Sequence, residues 1–261
     1  MSVTILFIGD IIGKPGRQAL SRELHRLVDR YAVDLVLANG ENAAGGFGLT
    51  VEVARELFSC GVHGMTSGNH IWDKKEQVPL VLADHRIVRP ANYPEGVPGR
   101  GSMLLTTPGG ISVAVLNLEG RVYMKNLECP FRTADREIER LRQETPIILV
   151  DFHAEATSEK AALGWYLDGR VSALVGTHTH VQTADERILT KGTAFMSDVG
   201  MTGSFDSVIG IGKEQAIGKF LTQLPVKFEV PKKDIRLNGV VVRLDRSTGR
   251  AVSIERINLS C

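Results

Sequence analysis

The most constraining feature of this sequence is a set of five short apolar runs, each followed by polar residues that can bind a cation. The runs lead into Gly9-Asp10, Asn39-Gly40-Glu41-Asn42, Ser67-Gly68-Asn69-His70, Asp151-Phe152-His153 and Gly176-Thr177-His178-Thr179-His180. Short apolar runs bounded by turn residues are typical of buried strands. Because ligands bind at the carboxyl ends of strands in open α/β sheets, we predict that these distant residues meet at one rim.

The residue types at these strand ends point to a mixed oxygen and imidazole ligand set without cysteine. The candidates are Asp10, Glu41, Asn42, Asn69, His153, His178 and His180. Imidazole favours Zn, Fe, Mn or Ni, and hard oxygen ligands favour Mn and Fe. Seven ligands are too many for one tetrahedral zinc ion, but they suit two ions that share a carboxylate. Two ions about 3.5–4 Å apart can hold the attacking and leaving oxygens of a phosphoryl transfer.

Each of these motifs alone also fits an ordinary turn, polar loop or buried polar group. The run Gly176-Thr177-His178-Thr179-His180 is the hardest to explain in that way, because histidines rarely alternate at the end of a buried strand. Two histidines spaced by one residue predict that both rings face the same side of an extended segment. The joint occurrence at five strand ends favours the metal-site interpretation.

Strands and helices alternate along the first two-thirds of the chain. The apolar pattern predicts strands at residues 3–8, 33–38, 62–66, 147–150 and 171–175, and a hairpin of 103–106 with 111–116. Helices are predicted at residues 15–30, 74–82 and 133–142, with Thr50 as cap of one through residue 58 and Thr157 or Ser158 as cap of one through residue 167.

The last third of the chain has a different character, with strands and turns from about Thr183 onward. The glycine-rich tract 197–212 predicts a long surface loop near a site. Strand–helix alternation predicts a parallel sheet, and the β-rich remainder predicts a second sheet packed on it. We therefore expect an α/β fold, a four-layer α/β/β/α sandwich of two mixed sheets flanked by helices, as a single domain over residues 1–261.

The charge balance and the cysteines limit the classes of function. With 31 basic and 30 acidic residues and no long like-charge block, the chain shows no electrostatic footprint for long nucleic acid or an anionic membrane. No run approaches the roughly 18 apolar residues of a membrane span, and the first residues lack the features of a secretory signal. Cys60, Cys129 and Cys261 are odd in number and widely spaced, which argues against a disulfide framework. We expect a cytoplasmic protein.

Taken in order, the motifs Gly-Asp, Gly-Glu-Asn, Gly-Asn-His, a lone His and Gly-Thr-His-Thr-His resemble those of the calcineurin-like metallophosphoesterase superfamily. The resemblance covers residues 9–180, about two-thirds of the chain. The runs at residues 7–17, 39–46, 151–155 and 198–203 are similar, more narrowly, to the YmdB-type bacterial branch of cyclic-nucleotide phosphodiesterases. The resemblance implies the four-layer fold and a metal-dependent phosphoric diester hydrolase.

The resemblance also implies how the ligands are shared between two metal ions. One ion would be held by Asp10, Glu41, Asn42 and His180, and the second by Glu41, Asn69, His153 and His178, so that Glu41 bridges them. Two positions depart from the usual superfamily pattern. Ile12 stands where a histidine is usual, with Asn42 as its expected replacement, and the bridging residue is a glutamate instead of an aspartate. Fe or Mn is the expected metal, with Zn as an alternative.

Three further residues have expected roles beside the metals. His70 follows Asn69 and would act as general acid, or stabilise the charged phosphoryl group, while a metal-bridging hydroxide attacks; such proton transfer contributes about 10²–10⁴-fold in rate. Lys14 and Arg17 begin the first helix, where cations and a helix N-terminus could meet a phosphate together. A solvated helix face explains these two cations equally well.

Three hypotheses for the function follow. The first is a phosphodiesterase for small cyclic nucleotides, either 2′,3′ or 3′,5′. The second is a general phosphomonoesterase or nuclease with the same metals, although the absence of a basic patch argues against long nucleic acid. The third is a non-catalytic metal-binding scaffold or nucleotide sensor, which we would expect to have lost ligands or His70. The expected partner is a small phosphodiester substrate and not a membrane, and the family resemblance suggests a homo-oligomer.

Overall fold

The computed structural model of the protein describes residues 2–261 and contains thirteen strands within that range. In chain order they are β1 (Ser2–Ile8), β2 (Asp10–Ile11), β3 (Leu35–Asn39), β4 (Gly64–Thr66), β5 (Ser102–Thr106), β6 (Ser112–Glu119), β7 (Ile148–His153), β8 (Ala173–Thr177), β9 (Arg187–Ile188), β10 (Ala194–Met196), β11 (Met201–Ser204), β12 (Ile235–Asp245) and β13 (Ala251–Ser260).

The helices of the described residues alternate with these strands. They are α1 (Gly13–Tyr31), α2 (Val51–Ser59), α3 (Val78–Val81), α4 (Pro130–Leu141), α5 (Thr157–Tyr166) and α6 (Lys213–Thr222), and a short 3-10 helix covers Asn69–Trp72. No helix in residues 2–261 is both long enough and apolar enough to cross a membrane.

The strands form two mixed sheets. The larger has the order β2-β11-β12-β1-β3-β4, and β13 pairs with β12; the smaller has the order β5-β6-β7-β8-β10-β9. In the larger sheet β1, β3 and β4 are parallel, and in the smaller sheet β6, β7, β8 and β10 are parallel. The strands that precede the polar motifs therefore end at a common edge of their sheet.

Three apolar cores hold the sheets and helices together in four layers. Between the two sheets, Phe7 of β1 and Val175 of β8 belong to one buried cluster. The outer face of the larger sheet is covered by α1 and α2, with Leu24 buried in their core. The outer face of the smaller sheet is covered by α4 and α5 through Ile138 and Leu163. The predicted four-layer α/β/β/α fold is confirmed. That residues 1–261 form a single domain stays a prediction, which the core shared by both sheets supports.

Most predicted elements are present, but several helix bounds differ: α1 begins two residues and α4 three residues earlier than predicted. Thr50 caps α2 as expected, since its hydroxyl accepts the backbone N–H of Val53 at 3.3 Å. The predicted cap by Thr157 or Ser158 is wrong, because α5 already begins at Thr157 and no side chain caps it. The helix predicted at residues 74–82 is confined to α3, which begins beside Pro79 because proline is tolerated only in the first turn.

The largest corrections concern the last third of the chain. Residues 197–204 are buried and include β11, so the prediction of a surface loop over residues 197–212 is wrong for its first half. The small residues of β11 let α1 approach the sheet so closely that a side chain at Gly16 would collide with the carbonyl oxygen of Thr202. The region after Thr183 also contains α6, whose large apolar residues recur at helical spacing but remain exposed.

Candidate metal centre and active site

The structure brings all seven predicted ligand residues to one rim of the two sheets. Asp10 lies in β2, Glu41 and Asn42 follow β3, Asn69 follows β4, His153 ends β7, and His178 and His180 follow β8. Asp10, Glu41, Asn42 and His153 are buried, and the other three are partly exposed. The sequence distance between these residues is bridged because parallel strands deliver their carboxyl ends to the same edge.

Three of these residues converge on the Nε2 atom of a fourth, His153. This atom lies 3.1 Å from Glu41 Oε1, 3.1 Å from Asn69 Oδ1 and 3.0 Å from His178 Nδ1. One imidazole nitrogen carries either one proton or one lone pair, so it cannot satisfy three neighbours. A cation among these atoms resolves the conflict. Glu41, His153 and His178 indeed offer ligand atoms that all lie within 4.8 Å of one another.

A buried chain of hydrogen bonds orients the His153 ring. The Thr177 hydroxyl donates to Asp151 Oδ1 at 2.8 Å and can therefore accept a proton from His153 Nδ1, also at 2.8 Å. With Nδ1 protonated, Nε2 presents its lone pair to the ligand cluster. Such outer partners fix the ring nitrogen that binds a metal. Gly68 is required here, because a side chain at its position would run into the His153 ring.

The remaining ligands leave buried oxygen atoms without partners. Oδ1 of Asp10 and Oδ1 of Asn42 are both buried and accept no hydrogen bond. His180 Nδ1 donates to the carbonyl oxygen of Ile209 at 2.8 Å, so its Nε2 lone pair faces inward, 3.8 Å from Asp10 Oδ1. Burying unpartnered carboxylate and amide oxygens is costly. This donor set fits a second cation that is held by oxygen and imidazole groups.

Glu41 lies between the two ligand sets. Its Oε1 contacts His153 and also accepts a hydrogen bond from Asn42 Nδ2 at 3.2 Å. Its Oε2 accepts the backbone N–H of His70 at 2.9 Å. Burial opposes the charge of Glu41, but the His153 ring outweighs it and lowers the carboxyl pKa to about 2. The Glu41 carboxylate is therefore ionised and placed where a bridging ligand would be.

The pKa values of the cluster residues indicate that its buried carboxylates need a compensating positive charge. Burial opposes protonation of His153, but the carboxylates of Glu41 and Asp10 raise its pKa to about 9. Burial and the neighbouring His153 lower the pKa of His178 to about 3, and burial raises the pKa of Asp10. Without a metal, a proton on His153 thus compensates the buried carboxylates, which is the role that a cation would take.

The loop that carries two of the histidines is not extended. His178 and His180 have positive φ angles of 95° and 66°, so the prediction that an extended segment aligns their rings is wrong. Asp198 stabilises this turn by accepting the backbone N–H of Thr179 at 3.1 Å and its hydroxyl at 2.7 Å. The same carboxylate is paired with the buried Lys160 at 2.7 Å. A buried ion pair therefore positions the loop.

A cavity of about 440 Å³ opens onto the ligand cluster. His70 lines it at the end of β4, in the short 3-10 helix. Nδ1 of His70 lies 2.8 Å from Asp73 Oδ2, and the ring meets Phe47 edge-on with 5.0 Å between centroids. Because Nδ1–H donates to Asp73, Nε2 is the nitrogen that remains for a substrate.

The structure does not bring Lys14 and Arg17 to this cavity. Neither residue lines it, and Lys14 is exposed on α1. Arg17 donates through Nε to Glu56 at 2.8 Å and through its terminal nitrogen to the carbonyl oxygen of Ala43 at 2.6 Å. These bonds tie α1 to α2 and to the loop after β3. Lys14 therefore lies on a solvated helix face, whereas the Arg17 side chain is only 14% exposed. A role of these two cations in substrate binding stays a prediction, which their positions do not support.

Sequence reasoning missed two carboxylates near the centre. Glu119 ends β6 beside Asn69 and is buried with both carboxylate oxygens unpartnered. Glu119 is a polar residue at the end of a buried strand, as the predicted ligands are. It was missed because that strand was predicted to end at residue 116, three residues too early. Glu155 Oε2 lies 3.2 Å from His178 Nε2 and lines the cavity. It lies two residues after His153, so only its position after the strand hinted at a role.

Comparison with known proteins agrees with the fold. The profile of the family described as YmdB-like protein matches residues 6–257. The chain is 50% identical over 253 residues to the 2′,3′-cyclic-nucleotide 2′-phosphodiesterase of Bacillus subtilis, covering 97% of this chain and 96% of that protein. A structure described as a novel phosphatase from Mycoplasma pneumoniae is 36% identical, with a TM-score of 0.94 over 100% of this chain and 94% of its own. A hypothetical protein from Thermus thermophilus is 44% identical, with a TM-score of 0.92 over 99% of each chain.

The four-layer sandwich with carboxylate, amide and imidazole groups at its rim is the architecture of a calcineurin-like metallophosphoesterase. Within that class, the chain belongs to the YmdB-like family. Its relatives are named as phosphodiesterases and phosphatases, and the chain is accordingly an enzyme, a hydrolase of phosphoric esters.

Proposed function

We propose that this enzyme hydrolyses 2′,3′-cyclic nucleotides with a pair of metal ions, and that His70 is its general acid. The observation that carries the proposal is the position of Glu41. One of its oxygens touches the His153 cluster and Asn42, and the other accepts the His70 backbone N–H, at the floor of the cavity. A carboxylate between two incomplete ligand sets is the arrangement that a dinuclear centre requires.

The residues at the rim divide into two sets that would hold the two ions. One set comprises Asp10, Glu41, Asn42 and His180, and the other comprises Glu41, Asn69, His153 and His178. The unpartnered oxygens of Asp10 and Asn42 support the first set, and the convergence on His153 Nε2 supports the second. With three imidazoles among mainly hard oxygen ligands, we propose Fe or Mn, with Zn as the alternative.

When bound, the metal pair would supply charge stabilisation for the phosphoryl oxygens and lower the pKa of the attacking water. The protein contributes the proton for the leaving group. Asp73 holds His70 Nδ1 at 2.8 Å, so the imidazolium of His70 would donate its Nε2 proton to the departing 2′ oxygen. Water adds to phosphorus, the bond to the 2′ oxygen breaks, and a nucleoside 3′-phosphate is released.

Two observations support a cyclic nucleotide as the substrate. The cavity of about 440 Å³ is within the range of about 300–1,000 Å³ that is common for small-molecule sites. The Bacillus subtilis relative, half of whose aligned residues are identical, is named for hydrolysis of 2′,3′-cyclic nucleotides. A small phosphodiester therefore fits better than long nucleic acid.

The proposal is tested with the purified enzyme reconstituted separately with Mn and with Fe. The substrates are 2′,3′-cyclic AMP, 3′,5′-cyclic AMP, bis-p-nitrophenyl phosphate and the monoesters 2′-AMP and 3′-AMP. We expect the 2′,3′-cyclic diester to give the highest kcat/KM and 3′-AMP to be its product. Faster hydrolysis of a monoester than of any diester would instead establish the general phosphatase, the alternative favoured by the name of the Mycoplasma pneumoniae structure.

The location and assembly of the enzyme are also proposals. The three cysteines are free, which is compatible with a reducing cytoplasm. Self-association stays a prediction, and sedimentation velocity of the metal-loaded enzyme measures it directly.

A further inference from the structure

The cavity above the metal centre has two chemically different sides. The ligand residues and His70 form its polar floor. Its other side, which we call the apolar wall, consists of Ile12, Phe47, Ile209, Ile211, Phe228 and Val230. Apolar surface that faces a cavity beside charged groups marks a binding site for an apolar part of a ligand.

The apolar wall is built from segments that are far apart in the chain but packed against one another. Phe47 and Phe228 lie with their ring centroids 6.2 Å apart and tilted by 30°. The segment of Phe228 is tied to the loop of Ile211, because the Gly212 backbone N–H donates to the carbonyl oxygen of Glu229 at 3.0 Å. The wall is thus a surface with fixed partners on both sides of the cavity.

Ile209 connects the apolar wall to the metal centre. This β-branched residue has a positive φ angle of 47°, a strained conformation that persists only where surrounding contacts impose it. Its carbonyl oxygen accepts the Nδ1 proton of His180, and its half-exposed side chain lines the cavity. The strain therefore places a hydrogen-bond acceptor at a ligand and an apolar side chain beside the substrate.

The charges of the residues that line the cavity disfavour a further anionic group there, and the Lys219 ammonium, 5.0 Å from the Phe228 ring centroid, does not line the cavity. Among the described residues that line it, the charged side chains other than histidine are Glu41, Glu155 and Glu229, and none is Lys or Arg. A part of the substrate that contacts the apolar wall must be uncharged and flat enough to lie against aromatic rings. In a cyclic nucleotide, only the base meets both conditions.

We propose that the apolar wall, with Phe228 and Phe47 at its centre, is a nucleobase subsite that binds the base by stacking and apolar contact without distinguishing the four bases. This inference rests on the proposed function, because it assigns the part of the substrate that the metals do not hold. Stacking is tolerant of base identity, since every base has a π-face. The wall side chains also carry no hydrogen-bonding group that could read a base edge.

The test compares substrates that carry a base with one that lacks it. The kcat/KM of the metal-loaded enzyme is measured for the 2′,3′-cyclic phosphates of adenosine, guanosine, cytidine and uridine, and for methyl riboside 2′,3′-cyclic phosphate. We expect the four nucleotides to agree within about fivefold and the base-free ester to be about 10- to 100-fold poorer through a higher KM, as loss of base stacking implies.

The variants then locate the subsite. Phe228→Ala should reduce the preference for cyclic nucleotides over the base-free ester by about tenfold, through a higher KM for the nucleotides. Phe228→Tyr should retain the preference, because it keeps the ring. Phe220→Ala is the matched control, since Phe220 is 76% exposed on α6 and does not line the cavity. Phe228→Leu, which keeps apolar volume, replaces Phe228→Ala if the latter fails to fold by circular dichroism.

Three results would overturn the inference while leaving the proposed function intact. The first is that the wild type has equal kcat/KM on the base-free ester and on the nucleotides. The second is that Phe228→Ala loses equally on both substrate types. The third is a preference for one base above about 100-fold, which stacking alone cannot produce. A wild type that hydrolyses neither class of cyclic ester with Mn or Fe would overturn the proposed function, and the inference with it.

Discussion

The two ligand sets of the centre differ in how their atoms are held. In the set around His153, three ligand atoms lie within 3.0–3.1 Å of one ring nitrogen, and that ring is oriented by Thr177 and Asp151. In the set around Asp10, the distance from Asp10 Oδ1 to His180 Nε2 is 3.8 Å. The His180 ring is oriented by its hydrogen bond to the loop carbonyl oxygen of Ile209. The first set is centred on a buried ring at the end of β7, whereas the only imidazole of the second set lies on the loop after β8. We therefore expect the His153 set to bind its ion more tightly.

The largest effect is expected where the two sets meet, at Glu41. Glu41→Ala removes the carboxylate that both ions would share, so at least one ion should be lost and turnover should fall by at least ~10³-fold. Elemental analysis of the purified variant measures the ions directly. Glu229→Gln is the matched control, because this exposed carboxylate lines the same cavity and belongs to neither set, so both ions should remain bound. Full occupancy by two ions in Glu41→Ala would contradict the bridging role.

His70→Ala separates the acid from the metals. His70 contributes its backbone N–H to Glu41, and the substitution preserves that bond, so both ions should remain. Turnover of 2′,3′-cyclic AMP should fall by about 10²–10⁴-fold, the usual contribution of general acid catalysis. The measurement is kcat at metal saturation together with metal content. An unchanged kcat would remove His70 from the mechanism.

The difference between the two sets is tested by a pair of asparagine substitutions. Asn42→Ala removes a ligand from the Asp10 set only, and Asn69→Ala removes one from the His153 set only. Titration of the metal-free enzyme with Mn should show two binding events in the wild type. Each variant should weaken one of these events by at least about tenfold, because even the loss of an outer partner of a ligand weakens metal binding by that factor. If Asn42→Ala weakens the tighter event, our order of affinities is wrong.

The ligand positions could be predicted from the sequence because each of them follows an apolar strand. The apolar wall could not be predicted, because no local sequence pattern marks its residues. Asp10, Glu41 and His153 each follow an apolar run, and sheet topology alone then brings them together. Phe228 lies in an irregular segment after α6, with no pattern that connects it to Phe47. Their contact results from tertiary packing. The same limit explains why the turn at His178 was predicted as extended, since Asp198, 20 residues further on, imposes its conformation.

The smallest effect in this series is expected from the hydrogen-bond chain behind the His153 set. Thr177→Val keeps the shape of the side chain but removes the oxygen that accepts the Nδ1 proton of His153. The proton can then move to Nε2, where it competes with the metal, so the ion of this set should bind about 10- to 100-fold more weakly and the other ion should be unaffected.

Thr66→Val is the matched control, because the Thr66 hydroxyl donates to the same Asp151 carboxylate without touching His153. Competition of each variant with a chelator measures the two affinities. An equal loss in both variants would mean that Thr177 acts only by supporting Asp151, whereas a loss confined to Thr177→Val shows that the ring tautomer is what makes the His153 set the tighter of the two.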